Sequence, residues 1–381
     1  MKLVFVPDSF KGSLSSAEMC RILHEEALRV FPQAETVSIP MADGGEGTVD
    51  ALVASCGGEV RTLTVVGPDG HPVDARYAII RDDDGPAAVV EMAQASGLPL
   101  MAQPDPMTAT SFGTGMLIRH CLEEGCRRLY VGLGGSATND GGMGMLTALG
   151  VRFLDNEGRD LTGSGAELAQ IASVSLEDLM PEAVHAEFRI LADVTNPLLG
   201  PTGATMVYGP QKGATPGMLD ALEAGMTHYA DVMEQALGHT FRDRPGAGAA
   251  GGLGAALCGI LHGEMTPGME MMMTAAHLRE RLAGADLVVT GEGSLDGQSI
   301  RYGKACGVIA GLCAERQIPV IAIVGGIGPG GEDFARLGLT SIMPIVPRPM
   351  SLQDSISAAP ALYADAAARA FRLVKMGGKT H

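Results

Sequence analysis

The sequence has no tryptophan, and aromatic residues make up only 4% of it. The composition is otherwise that of an ordinary soluble globular chain, rich in Gly and Met. Positive charge is scarce as well. Against 44 Asp and Glu there are 27 Lys and Arg, a formal net charge of −17. Counterion release from nucleic acid and attraction to anionic lipid both need the opposite balance, which argues against both as partners. A small polyanion is still a suitable ligand where a divalent metal or a local Lys or Arg offsets the repulsion.

Long hydrophobic runs are missing. The uncharged stretch at about 245–261 is crowded with glycine and shorter than a membrane helix, which needs about 20 apolar residues. The N-terminus enters a strand pattern at once, with no basic segment and apolar core of a signal peptide. A cytoplasmic protein is therefore expected. The seven cysteines are scattered, odd in number and without C-x-x-C, as expected of reduced thiols. Cys121 and Cys126 read as packing residues. The nine histidines are dispersed, which argues against a His-based metal site. G-x-x-x-x-G-K-[ST], G-x-S-x-G and H-E-x-x-H are all absent.

Glycine is plentiful, and the densest functional-looking stretch is 132–142, G-L-G-G-S-A-T-N-D-G-G. It follows a strand-like run at 128–131. Glycine adopts positive φ at little cost and lets backbone N–H groups approach an anion closely. Phosphate is the first expectation for such a loop at a strand end.

The chain's 381 residues favour two domains. Residues 3–6 read as a strand. Ser15 to Glu18 fits a capping box, and Met19, Ile22, Leu23, Ala27 and Val30 follow at helical spacing. A strand is expected at 36–39, then a helix to about Ser55. Between Arg61 and Glu91, alternating apolar residues around Gly67-Pro68-Asp69-Gly70 predict β-hairpins. A helix at 114–124 and strands at 129–133 and 188–191 follow. Leu219, Leu222, Met226, Tyr229, Met233 and Leu237 keep a 3/4 spacing that predicts a long amphipathic helix. From Asp286 onward strands at 287–290, 320–324 and 341–345 alternate with helices. The expected fold class is α/β. Residues 1–60 and 285–381 form a doubly wound parallel-sheet domain of Rossmann/flavodoxin-like type, and 61–284 an inserted second α/β domain.

Five predicted strands end in short loops of Gly with Asp, Glu, Ser or Lys, at 7–13, 42–48, 132–142, 192–197 and 290–297. Ligands of open α/β sheets bind beyond the carboxyl ends of strands. Lys11, Lys212 and Lys304 lie in or beside these loops, suited to neutralising a phosphate or a carboxylate, or simply to facing solvent. Asp43, Glu46, Asp140, Asp193, Glu292 and Asp296 are suited to Mg²⁺, to accepting a hydroxyl proton, or to capping a helix. Two strings look like dinucleotide fingerprints. Gly246 to Gly251 has no strand before it. Gly132 to Ala137 does, with Asp155 at the ribose spacing, but Asn139-Asp140-Gly141 interrupts where the helix should run.

Taken in order, Pro7-Asp8-Ser9-Phe10-Lys11-Gly12-Ser13, Ala42 to Thr48, Gly134 to Gly141, Asp193-Val194-Thr195-Asn196-Pro197-Leu198, Gly209 to Gly213, Gly246 to Gly252 and Gly291-Glu292-Gly293 make the chain resemble the bacterial glycerate kinase family, the type without a Walker A loop. The resemblance implies a two-domain α/β enzyme with its active site in the cleft. It implies ATP-dependent, Mg²⁺-assisted phosphorylation of D-glycerate, usually to 2-phosphoglycerate. On that reading Gly134, Gly135, Ser136, Asn139, Gly291 and Gly293 hold ATP, and Asp8, Ser9 and Asn196 hold glycerate. Asp43, Glu292 and Asp296 hold Mg²⁺. Asp193 is the base, and Lys11 and Lys212 offset charge. The chain departs from the family pattern at Ser294, and by one extra residue between Gln298 and Gly303. Homodimerisation is left open. The alternatives are an NAD-dependent 2-hydroxy-acid dehydrogenase and a non-catalytic sugar-acid sensor.

Overall fold

The computed structural model describes residues 1–42, 44–45, 47–82, 85–296 and 305–377. Among them fifteen strands follow in chain order: β1 (Lys2–Pro7), β2 (Glu35–Ser38), β3 (Gly58–Val66), β4 (Pro72–Asp82), β5 (Gly85–Glu91), β6 (Arg128–Gly132), β7 (Arg152–Leu154), β8 (Ser173–Ser175), β9 (Glu187–Leu191), β10 (Glu264–Thr266), β11 (Leu287–Gly291), β12 (Ser294–Leu295), β13 (Val320–Val324), β14 (Gly326–Ile327) and β15 (Ser341–Pro344). No helix among the described residues is long and apolar enough to cross a membrane.

The chain divides into two compact units. The first comprises Met1–Asp43, Asp50–Cys56 and Met269–His381, and the second Gly44–Val49 and Gly57–Gly268.

In the first unit the sheet order is β15-β13-β11-β1-β2, and every pairing is parallel. Counted within the unit, this is the order 2-1-3-4-5 of a flavodoxin-like fold. The central strands are apolar except at Lys2 and Thr290 and buried at nearly every position, as a parallel sheet covered on both faces requires. Helix Ser16–Val30 starts where Ser15 Oγ accepts from the Glu18 amide, and it buries Met19, Ile22, Leu23 and Ala27. Helix Ala359–Gly377 brings Phe371 to 6.1 Å from Phe5 and Tyr363 edge-on to Phe10. The order of the strands reverses between β1 and β11, which run in register from Leu3↔Leu287 to Pro7↔Gly291. That reversal opens a crevice outside the strand ends.

In the second unit the sheet order is β10-β9-β6-β5-β4-β3. Strands β3, β4 and β5 are antiparallel hairpins, while β5, β6, β9 and β10 are parallel. Mixing the two modes puts four carboxyl ends side by side on one edge. Helix Pro216–Leu237 packs on this unit with Leu222, Met226, Tyr229 and Met233 buried on one stripe. Thr215 caps it, Pro216 occupies its first turn, and Gly238 ends it at φ +72°. Cys121 and Cys126 are buried free thiols in the unit's core.

Candidate active site

In the second unit, three loops interlock by backbone contact at the carboxyl ends of β5, β6 and β9. A Cβ on Gly132 would lie 2.5 Å from the Gly44 carbonyl oxygen, one on Gly134 would lie 2.7 Å from Gly45 Cα, and one on Gly44 would lie 2.8 Å from Leu191 Cβ. Only glycine permits this approach. Glu91, the last residue of β5, is buried and accepts from the Val49 amide at 2.7 Å, in the first turn of helix Thr48–Cys56. This carboxylate escapes a reading of the sequence because its partner is 42 residues away. The only hint is an acid ending the apolar run 87–90.

Loop 133–142 leads from β6 to helix Met143–Ala148. Its exposed part is Gly135, at φ +77°. The rest is fastened inward. The Leu133 amide donates to Leu191 O, the Ala137 amide to Ser96 O, and the Gly141 amide to Gly251 O. Asp140 is wholly buried and accepts four bonds: from the Ser111 amide (2.8 Å), Ser111 Oγ (2.7 Å), the Gly142 amide (3.1 Å) and the Gly144 amide (3.3 Å). It thus joins the N-terminal ends of helices Phe112–Glu123 and Met143–Ala148, where negative charge is favoured. Burial nonetheless pushes its carboxyl above the ordinary range against the pull of those donors.

Asn139 is also fully buried, its Nδ2 donating to Thr205 Oγ1 at 3.1 Å. Lys212 is 1% exposed, and its Nζ donates to Thr138 O at 2.7 Å. Burial pushes the Lys212 ammonium down to about 7, with the Asp140 charge opposing the shift. Neither Ser111, Thr205 nor the depth of Lys212 shows in the sequence, since each partner lies 29 to 74 residues away.

Behind this loop, Ala250, Gly251 and Gly252 form three successive left-handed residues, at φ 51°, 66° and 93°. The dinucleotide-like string at 246–251 therefore serves as a tight turn against the loop. Asp155, at the ribose spacing, likewise closes a local turn, accepting from the Glu157 and Arg159 amides. Ala250 carries the left-handed conformation without being glycine, a strain of about 1–2 kcal/mol. Ala250→Gly is expected to raise stability by about 0.5–1 kcal/mol, after the added freedom of the unfolded chain is subtracted. A urea midpoint that falls would contradict this.

Asp193 follows β9 and is exposed, with Oδ1 accepting from the Gly268 amide at 3.1 Å. Asn196 donates through Nδ2 to Thr202 O and accepts from Tyr208 Oη, each at 2.7 Å, which closes its own loop.

In the first unit, Asp8 and Glu292 follow β1 and β11 at the strand-order reversal. The Asp8 amide donates to Gly291 O at 2.9 Å, and Asp8 Oδ1 accepts from the Ser9 amide at 2.7 Å. Lys11 is exposed at the tip of the turn that Gly12 makes at φ +74°. Gly291 is buried with no space for a side chain, since a Cβ would lie 2.2 Å from Ile323 O. Gly293 lies against Phe10 Cα. Glu292 is buried and Asp296 half-buried. The Cys306 thiol is raised well above its ordinary range by burial and then by Glu292, with Asp8 adding to the effect, so both carboxylates share its surroundings. Asp43, Glu46, Arg301, Tyr302 and Lys304 lie outside the described residues.

Among the described residues, no three His, Cys, Asp or Glu side chains form a metal cage. Mg²⁺ does not need one, because one or two carboxylates with phosphate oxygens and water suffice. Glu292 and Asp296, carboxylates on the segment that follows β11, are of the type that requirement calls for.

A family model described as the glycerate kinase family matches residues 3–375. The chain is 43% identical over 371 residues to the glycerate kinase of Bacillus subtilis (strain 168), covering 97% of this chain and 96% of that one. It is 44% identical over 329 residues to the glycerate 2-kinase of Escherichia coli (strain K12), covering 86% of each. A crystal structure described as glycerate kinase 2 from Salmonella typhimurium LT2 superposes with a TM-score of 0.87 at 38% identity, over 100% of this chain and 99% of that one.

Proposed function

The chain belongs to the glycerate kinase family, and we propose that it transfers the γ-phosphoryl group of ATP to a hydroxyl of D-glycerate, giving 2-phosphoglycerate with Mg²⁺ assisting. The observation that carries the donor side is the loop at 134–136. Its exposed left-handed Gly135 sits at a strand end with the flanking amides fastened behind it. Such a backbone concavity suits phosphate oxygens.

Asp193 is the group suited to take the proton of the attacking hydroxyl. It is exposed at the carboxyl end of β9, and the Gly268 amide fixes its Oδ1 at 3.1 Å. Lys11, exposed on its own turn, offsets the charge of a substrate carboxylate or phosphate. Glu292 and Asp296 would hold Mg²⁺, which would supply charge neutralisation for the phosphates, and Asp8 and Ser9 would hold glycerate. The protein's own contribution is orientation and a fixed electrostatic frame, since phosphoryl transfer leaves little covalent work for side chains.

Asp193→Asn keeps the acceptor geometry toward Gly268 but not the basicity. Its kcat is expected to fall by about 10²–10⁴-fold, with ATP affinity within about twofold of wild type. Wild-type turnover in this variant would remove Asp193 from the role. The ³¹P spectrum of the product tests the site of transfer, with the phosphomonoester expected coupled to the single C2 proton. Coupling to the two C3 protons would assign the other hydroxyl.

A further inference from the structure

Lys212 enters the protein interior from a fixed point. It ends the short helical turn Pro210–Lys212, closed by Gly213 at φ +93°. That turn is pressed so closely on residue 104 that a Cβ on Gly213 would lie 2.3 Å from Pro104 O. From there the side chain runs, 1% exposed, to the Thr138 carbonyl at 2.7 Å. Gly251 presses on the same carbonyl, since a Cβ there would lie 2.0 Å from it. Thr138 Oγ1 in turn donates to Ala250 O. Two residues further along the loop, the Asp140 carboxylate supplies the opposite charge that opposes the loss of the Lys212 proton. An apolar side chain of equal length would fill this space without desolvating a charge. The ammonium is retained where it can hold a loop carbonyl.

We propose that Lys212 is a positioning residue: its ammonium, buried beneath the loop that also carries Asp140, holds the Thr138 carbonyl and so sets the shape of Gly134 to Ser136 for phosphate, without touching substrate. The inference deepens the proposed reading of that loop and rests on it. It separates the two lysines of that reading, one exposed at Lys11 and one interior at Lys212.

Two measurements test it. The first is a double-mutant cycle in kcat/KM for ATP. Lys212→Met and Asp140→Asn are each expected to lower it by about 10–100-fold through a displaced loop. The combined variant is expected to match the worse single change, because both act through one structural unit. Losses that multiply would overturn the proposal, since a lysine on substrate acts independently of the buried carboxylate. The second uses wild-type protein and holds even where the variants fail to fold. After brief acetic anhydride treatment, peptide mass spectrometry is expected to find Lys11 acetylated and Lys212 unmodified, with and without MgATP. Acetylation of Lys212 that nucleotide blocks would overturn the proposal. A wild-type enzyme inert toward ATP and glycerate would instead overturn the functional reading, while the labelling pattern still decides where Lys212 lies.

Discussion

Asp140→Ala is expected to lower the unfolding free energy by about 3–5 kcal/mol, because four donors lose the buried acceptor they share. The carboxylate accepts from the Ser111 amide and hydroxyl and from the Gly142 and Gly144 amides. Alanine leaves those donors inside the protein without their acceptor, at about 1–3 kcal/mol for each one that finds no substitute. It also leaves the Lys212 ammonium without its opposing charge. Ser111 Oγ accepts from the Met145 amide as well, so the start of helix Met143–Ala148 loses its fixed point. Asparagine supplies one acceptor oxygen and is expected to recover part of the loss. Urea titrations of the three proteins check this order, and an alanine variant within about 1 kcal/mol of wild type would show that the network is not what fastens the loop.

Gly251→Ala is the second large effect. The added Cβ would meet Thr138 O at 2.0 Å and Asn139 Cα at 2.7 Å, both main-chain atoms that cannot rotate away. The position also sits at φ +66°, where alanine is strained by about 1–2 kcal/mol. Adding about 1–3 kcal/mol for overpacking, the variant is expected to lose roughly 2–5 kcal/mol of stability and most of its turnover. Gly311 is the control. It lies in helix Ala305–Ala314 with open space around it. Gly311→Ala is expected to stabilise the protein by about 0.5–1 kcal/mol and leave kcat unchanged. Equal effects at the two positions would contradict the close contact at Gly251.

The contrast between these glycines marks where the sequence is readable. Strands β1, β11, β13 and β15 and the alternation from Asp286 onward follow from apolar runs and their spacing, and so does helix Pro216–Leu237. The glycine-rich loops are visible as composition, and their placement after strands points to the carboxyl edge of a sheet. What composition cannot supply is direction. Gly135 is exposed, whereas Asn139 and Asp140, four and five residues on, are fully buried. That difference comes from Ser111 and Thr205, 29 and 66 residues away in the chain. Lys11 and Lys212 look alike beside their glycines, yet one lies at an exposed turn and the other beneath a loop. Long-range pairing sets these differences, and no local pattern encodes it.

Transfer of phosphate from ATP to glycerate on this chain is tested most directly by ADP release in a coupled assay. ADP is expected only when ATP, Mg²⁺ and D-glycerate are all present, in a one-to-one ratio with phosphoglycerate. ADP formed at the same rate without glycerate, or no ADP with any of a panel of sugar acids, would contradict it.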